Sequence, residues 1–385
     1  MSLFEKLFGR KKSASTAAGQ PVAEQTIAAP DDEDEDVGAA GWEAIDAALH
    51  PLYGDQQPAH YGTVLSYRLG GQDPLQGISV YKREEPVRHW HYITYGFSEL
   101  YDKESEDPAI SGWGFELTFR LRVDAFEAQP PTWPLNFLQN LARYVFQSGR
   151  VFNEGDYMNA NGPIAVDEDT ALVAIAFVQD PELSAIDTPN GALRFLQVVG
   201  VTEDESFAQK QWNTLGVMEV FAPHMPLYAT DLKRQSLMQI ESVRQQVQAG
   251  AEREGSNTGY LLVDQLACEL SKAESDTQAV KLTLGAAQVP TVLSLLPYRL
   301  RFKNHFGLIG KGIQVWLKSA ERCDVAQNDE EISIFLSDEV VDAICTTLPA
   351  KQGTYQFAAW DGLSIEVKPT YIRDQDGNVV NTVGE

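Results

Sequence analysis

Phe115-Glu116-Leu117-Thr118-Phe119-Arg120-Leu121-Arg122-Val123 alternates apolar and polar side chains without a break. A period of two puts the odd-numbered residues on one face of a strand and the even-numbered ones on the other. The stretch therefore predicts a half-buried β-strand whose polar face meets water. Downstream, Ala171–Val178 is apolar throughout and reads as a buried strand, and Leu193–Val201 reads as another. A helix lies between the first strand and these two. Pro131-Thr132-Trp133-Pro134 offers a cap and an early proline, Phe137, Leu138, Leu141, Ala142 and Val145 form one face, and Gly149 ends it. Further on, Val292–Phe302 and Gly312–Leu317 read as strands, Asp338–Leu348 as a helix before Pro349, and Leu363–Val367 as a strand. The fold class is α+β (mixed α/β), with two domains, each a mostly antiparallel or mixed sheet with packed helices.

The chain has 385 residues, 43% hydrophobic and 22% charged, which suits a globular protein of two or three domains. Its formal charge is −25; residues 1–12 carry +3, residues 13–40 carry −7 and the remainder −21, so the acid excess belongs to the folded body. Such a surface repels phosphate backbones, which argues against nucleic-acid binding and favours a basic protein partner. Cys268, Cys323 and Cys345 are odd in number and far apart, with no CxxC pair. Neither a disulfide framework nor a zinc ribbon is expected, and a reducing cytoplasm is. No apolar run approaches the length of a membrane span.

Met1–Lys12 places Leu3, Phe4, Leu7 and Phe8 at helical spacing, with its basic residues after its first apolar ones. It lacks the order of a secretory signal and suits weak contact with a membrane surface or a partner groove. Residues 13–40 read as a disordered acidic linker ending in the like-charged run Asp31–Asp36. Order begins near Trp42, where Ile45, Leu49 and Leu52 continue a helical period. The first domain is placed at 41–238 and the second at 258–385. The polar stretch 239–257 between them is assigned as a linker, and its composition fits a helix as well as a hinge.

No motif assembles a nucleophile, a base and an orienting group. Gly112-Trp113-Gly114 lacks the third glycine of a dinucleotide loop and precedes a strand instead of a helix. Asp374-Gln375-Asp376-Gly377-Asn378 lacks the ligand spacing of a calcium loop and reads as a tight turn between Tyr371-Ile372 and Val379-Val380. His89-Trp90-His91 puts two histidines on one face of a strand, which can begin a metal site or can pack into a core. A metal-dependent hydrolase built on His89 and His91 is thus one reading, and the core is the preferred one. No catalytic residue, metal or cofactor is assigned. Aromatic side chains crowd one third of the chain, at places that read as loops, from His89 to Phe97 and on through Tyr101, Trp113, Trp133, Tyr144, Phe152 and Tyr157. Most suit a core, but Tyr144 sits beside the apolar stripe of its helix, where that helix leads into Phe152–Asp156.

At these residues the chain resembles the Suppressor of fused family. The matching stretches are Tyr67–Leu75, His89–Tyr101, Gly114–Leu121, Pro130–Pro134, Leu141–Ser148, Leu196–Val201, Gln211–Asn213 and Thr230–Arg234, in the family's order. Arg299–Phe306, Ile332–Leu348 and Leu363–Lys368 extend the likeness more thinly. The resemblance implies a non-enzymatic binding protein. The animal member inhibits a zinc-finger transcription factor of Hedgehog signalling by clamping a short peptide between its two domains as an added strand. By this likeness Tyr144 packs on the peptide and Asp156 accepts a charge-assisted hydrogen bond from it. Tyr157 stands where the animal pattern has histidine, implying a different peptide specificity. A strand of the second domain near Val292–Leu296 completes the groove, with Leu293 as its partner-binding residue. The residues by themselves also allow Tyr144 as core and Asp156 as a turn residue after Gly155. Together with Tyr157, the acidic linker and the basic start, the short Asp324–Glu331 stretch in place of a long insertion resembles a bacterial member, for which kinship implies an immunity protein that neutralises a toxin. A membrane-surface scaffold or regulator tethered by Met1–Lys12 is the alternative.

Overall fold

A computed structural model describes residues 38–65, 67–272, 278–328, 331–373 and 377–385. The amphipathic start Met1–Lys12, nearly all of the acidic linker and the Asp374–Asp376 part of the expected turn lie outside them. The described residues form two compact units: those up to Ser206 with Met218–Ile240, and Phe207–Val217 with Glu241–Glu385. No helix among the described residues is long and apolar enough to cross a membrane.

The first unit is built on one mixed sheet. Its strands are β1 (Ala59–Gly62), β2 (Gly77–Arg83), β3 (His89–Tyr95), β4 (Ile110–Arg122), β5 (Tyr157–Asn159), β6 (Leu172–Gln179), β7 (Ile186–Thr188) and β8 (Gly191–Thr202). They run in the order β1-β2-β3-β4-β8-β6-β5, with β7 pairing β8 off that path. Only β4 and β8 pair in parallel. Helix α1 (Ala40–Tyr53) covers one face through Ile45, Leu49 and Tyr53, which meet Tyr81, Ile93, Tyr95 and Phe195. Helix α2 (Trp133–Ser148) covers the other through Phe137, Leu138, Leu141 and Val145, which meet Tyr92, Phe115, Leu117 and Phe119.

The expected boundaries of α2 hold, because Gly149 adopts a left-handed φ of 68° and its N–H closes on Val145 O at 2.8 Å. Thr132 is no side-chain cap. Its backbone is already in the right-handed helical region, and its hydroxyl takes no hydrogen bond from the first turn. The aromatic run from His89 is not a loop but strand β3, buried along its whole length. The polar face of β4 is also not solvated: Glu116, Thr118 and Arg120 are all fully buried.

The second unit contains helix α5 (Glu241–Glu254), whose Val243, Val247 and Ala251 are buried, so the polar stretch between the expected domains forms a helix. It is preceded by α3 (Glu203–Gln211) and α4 (Thr214–Phe221), each of which the division into units cuts. The unit's strands are β9 (Tyr260–Leu262), β10 (Ala267–Lys272), β11 (Gln278–Gly285), β12 (Phe306–Gly310), β13 (Ile313–Ser319), β14 (Asp324–Gln327), β15 (Ile332–Leu336), β16 (Gly353–Phe357), β17 (Trp360–Lys368), β18 (Thr370–Arg373) and β19 (Val379–Val383). They form the sheets β10-β11-β17-β16 and β14-β15-β13-β12-β9, and β18 and β19 pair as the expected hairpin. Helices α6 (Val289–Leu300) and α7 (Asp338–Thr347) complete the core.

The segment Val292–Phe302 read as a strand is therefore mostly the helix α6. Its buried residues Val289, Val292, Leu295, Leu296 and Leu300 recur at spacings of three and four, and Pro290 sits at its first turn, where a missing N–H costs nothing. The polar residues that would have marked the period are too few in Thr-Val-Leu-Ser-Leu-Leu to show it.

Gly250 of α5 is set against the Trp212 indole, and a Cβ there would lie 2.5 Å from the ring. Glycine to alanine in a helix interior ordinarily adds up to about 1 kcal/mol. Here Gly250→Ala is expected to lower stability by about 1–3 kcal/mol through overpacking, read as a lower denaturation midpoint. A midpoint raised by the substitution would show that the ring moves aside freely.

Candidate functional site

The candidate residues of the first unit gather where α2 ends and β5 begins. Tyr144 is half-buried on α2, and its ring stacks on Phe152 at 5.6 Å, which in turn stacks on Phe177 at 4.2 Å. Tyr144 is thus both part of the core's margin and accessible at its edge. Asp156 follows a turn that Gly155 makes with a φ of 87°. One of its carboxylate oxygens accepts the Asn153 N–H at 2.8 Å, so Asp156 is a turn residue, with the other oxygen left to accept elsewhere. Tyr157 opens β5 and is half-buried.

β5 ends the path of the sheet. Phe177 N–H donates to Asp156 O, and Ala160 N–H donates to Val173 O, so the even-numbered residues turn their backbone groups towards β6. By the alternation of an antiparallel ladder, Tyr157 and Asn159 turn theirs to the opposite side. Such an edge is a template for an incoming strand.

The structure brings Tyr144, Asp156 and Tyr157 to one end of the first unit. Leu293 belongs to the second unit and is not on a strand. It lies on α6, half-buried against the core, and its carbonyl accepts from Cys345 Sγ at 3.7 Å. The expectation of a groove-completing strand at Val292–Leu296 is corrected accordingly. The edge strand of the second unit that sequence reasoning missed is β9, paired on one side with β12. Tyr260 is 57% and Leu262 is 76% exposed there. Its signal was the short apolar run after Gly259, but no run of that length reveals that it sits at an edge.

His89 and His91 belong to the buried face of β3, towards α1. Burial pushes the Tyr53 hydroxyl well above its usual pKa, so it keeps its proton and donates to His91 Nδ1 at 2.5 Å. His91 Nε2 then carries the ring proton, 3.5 Å from Asp180 Oδ2. His89 Nδ1 donates to Val87 O at 2.7 Å. Burial lowers the two rings to about 4 for His89 and about 3 for His91, and the nearby Arg120 charge adds to the effect. Arg120 grips Asp180 with both terminal nitrogens, at 2.6 and 3.0 Å, and also donates to Glu182 and Gln197. Burial alone would raise the Asp180 carboxyl. The nearby His91 ring and the Arg120 guanidinium outweigh it and hold Asp180 well below the usual carboxylate range. A cation already occupies the anionic corner beside His91, and among the described residues no His, Cys, Asp and Glu cluster suits a metal ion. These histidines are packed core groups, both without exposed surface.

Comparison with known proteins follows from this geometry. Residues 71–235 match the sequence model described as Suppressor of fused protein (SUFU). The Suppressor of fused homologs of Homo sapiens and Mus musculus are each 36% identical over 234 residues, 56% of this chain and 48% of theirs. The chain thus spans about half the length of these curated relatives. The crystal structure of Drosophila Suppressor of Fused shares the fold, with a TM-score of 0.72 at 24% identity over 86% of this chain and 97% of that one. The Sufu-Fu complex crystal structure contains a chain 34% identical, with a TM-score of 0.50, covering 54% of this chain and 97% of that one.

Proposed function

Since the chain belongs to the Suppressor of fused family, we propose that it is a non-enzymatic binding module that takes a partner protein as an added strand beside Asn159 on the edge strand β5. The observation that carries this is the sheet order, which ends on β5 with Asn159 turned outward, Asp156 just before the strand and the Tyr144 ring stacked on nearby Phe152. Backbone hydrogen bonds along the edge supply affinity, and Tyr144, Asp156 and Tyr157 supply choice of partner. A formal charge of −25 favours a basic partner, and neutralisation of a cationic toxin domain is the specific form we infer. Three free thiols, two of them held protonated by burial that raises Cys268 and Cys345 to about 11, support action in a reducing cytoplasm.

The test is co-purification of tagged protein from its native cell, with retained proteins identified by mass spectrometry. Asn159→Pro removes an outward N–H while sparing the bonds to β6, so a folded variant should retain at least about tenfold less partner. Asp156→Asn keeps an acceptor for the Asn153 N–H but loses the charge, and should weaken a basic partner. Undiminished capture by Asn159→Pro would sink the added-strand reading. A retained toxin domain would support neutralisation, and a retained regulatory protein would replace it.

A further inference from the structure

A cleft of about 350 Å³ opens on the first unit between α1 and the strands β1 and β2. That volume is in the range of small-ligand sites. Its lining sets the rings of Trp42, Tyr53 and Tyr81 and a single carboxylate among the polar side chains of His50, Gln56, Gln57, His60 and Ser79. Trp42 stacks on Tyr95 at 4.4 Å, and Tyr53 stacks on Tyr81 at 4.0 Å. Asp46 accepts a hydrogen bond from the Tyr95 hydroxyl at 2.8 Å and another from the Trp42 side chain. A carboxylate has about four acceptor positions, so two remain.

Among the described residues no lysine or arginine forms an ion pair with Asp46. Arg83, 5.8 Å from the Tyr53 ring, is instead paired with Glu182 at 2.9 Å. His60 lines the cleft with Nδ1 3.0 Å from Ser79 Oγ, and burial lowers its pKa, so near pH 7 it brings no competing positive charge. Asp46 is the one carboxylate of the lining, too few for a hard metal ion, which wants six or more oxygens. Aromatic walls around one anion instead match a weakly hydrated organic cation.

We propose that this cleft binds an alkylammonium group, with Asp46 as its counter-ion and Trp42 and Tyr81 as its aromatic walls. The site is separate from the β5 edge and does not rest on the strand-adding reading. The ammonium comes from a free small amine or from a lysine side chain of a protein.

Isothermal titration of the full chain with n-butylammonium chloride, 1-butanol and acetyl-Gly-Lys-Gly-amide tests it. Butylammonium or the peptide should bind, and butanol should bind at least about tenfold more weakly. Asp46→Asn should cut cation binding by about tenfold or more with an unchanged melting temperature. Trp42→Phe, which keeps an aromatic ring, should cut it several-fold and serves if Asp46→Asn does not fold. Peptide binding tighter than butylammonium assigns the site to lysine, and the reverse assigns it to a free amine. No heat with either cation up to about 10 mM, butanol binding as well as butylammonium, or variants that bind like wild type would overturn the proposal.

Discussion

Asp180→Ala is expected to destabilise the first unit by about 3–5 kcal/mol, the cost of leaving a buried charge without its partner. Arg120 has no exposed surface and Asp180 only 3%. The carboxylate accepts two bonds from Arg120, one from the Thr118 hydroxyl, and the N–H groups of Glu182 and Leu183. Its removal strands the guanidinium, which keeps only Glu182 and Gln197, and frees the turn after β6. Replacing Arg120 with methionine as well should recover part of the loss, because an apolar pair of similar volume tolerates burial better than a single charge. Urea denaturation of the two single variants and the double variant gives the coupling directly. A loss under about 1 kcal/mol for Asp180→Ala would mean that the network relaxes and that water or Glu182 replaces the carboxylate.

Acid should begin to destabilise this protein at a pH well above the range in which carboxylates titrate. His89 and His91 are fully buried and neutral, with pKa values lowered from the usual 6.5 to about 4 and about 3. A depressed folded pKa means that protons bind the unfolded chain first. The stability is fully present above about pH 6.5 and is lost as pH falls through 4 for His89 and through 3 for His91, by an amount on the order of 8 kcal/mol in all for the pair.

Glu116 acts in the opposite sense. Burial raises it from 4.5 to about 7, although the Ser98 and Thr94 hydroxyls and the Ser98 and Gly96 N–H groups all donate to it. Its contribution is present below about pH 4.5 and is lost as pH rises through 7, on the order of 3 kcal/mol. The histidines win, so a net loss on the order of 3 kcal/mol is expected between about pH 6.5 and pH 4. Glu116→Gln, which has no titrating group, should steepen that fall. Urea midpoints measured from pH 7.5 down to 4.5 check it, and a flat profile for the wild type would refute the buried neutral histidines.

Much of the fold was legible in local pattern. Alternation in Phe115–Val123, the apolar runs at Ala171–Val178 and Leu193–Val201, and the stripe from Phe137 to Val145 all correspond to elements of the structure. These patterns are short-range, set by the periods of strand and helix. The reading failed at Val292–Phe302, where apolar residues such as Leu293, Pro297 and Tyr298 also occupy the half-buried side of the helix, so that no clear polar face reveals its period. The candidate site was half legible. Family likeness brought out Tyr144, Asp156 and Tyr157, which lie near the end of α2 and the start of β5, but it assigned Leu293 to a strand where the structure has the helix α6.

The sequence by itself determined the mixed α/β class, the helix that ends at Gly149, the acid excess and the kinship, because each is written in neighbouring residues or in composition. Only the tertiary structure decided what the polar face of β4 does. Glu116, Thr118 and Arg120 alternate as solvent-facing residues would, yet partners from other elements cover all three: Ser98 and Thr94 over Glu116, and Asp180 with Gln197 over Arg120. A buried charge is tolerable only where opposite charge and hydrogen bonds meet it, and those partners lie 60 and 77 residues away from Arg120 along the chain. No local window contains both halves of such a pair. The same holds for the edge at β5 and for the cleft around Asp46, which exist only once the sheet has chosen which strand comes last and which helix lies over it.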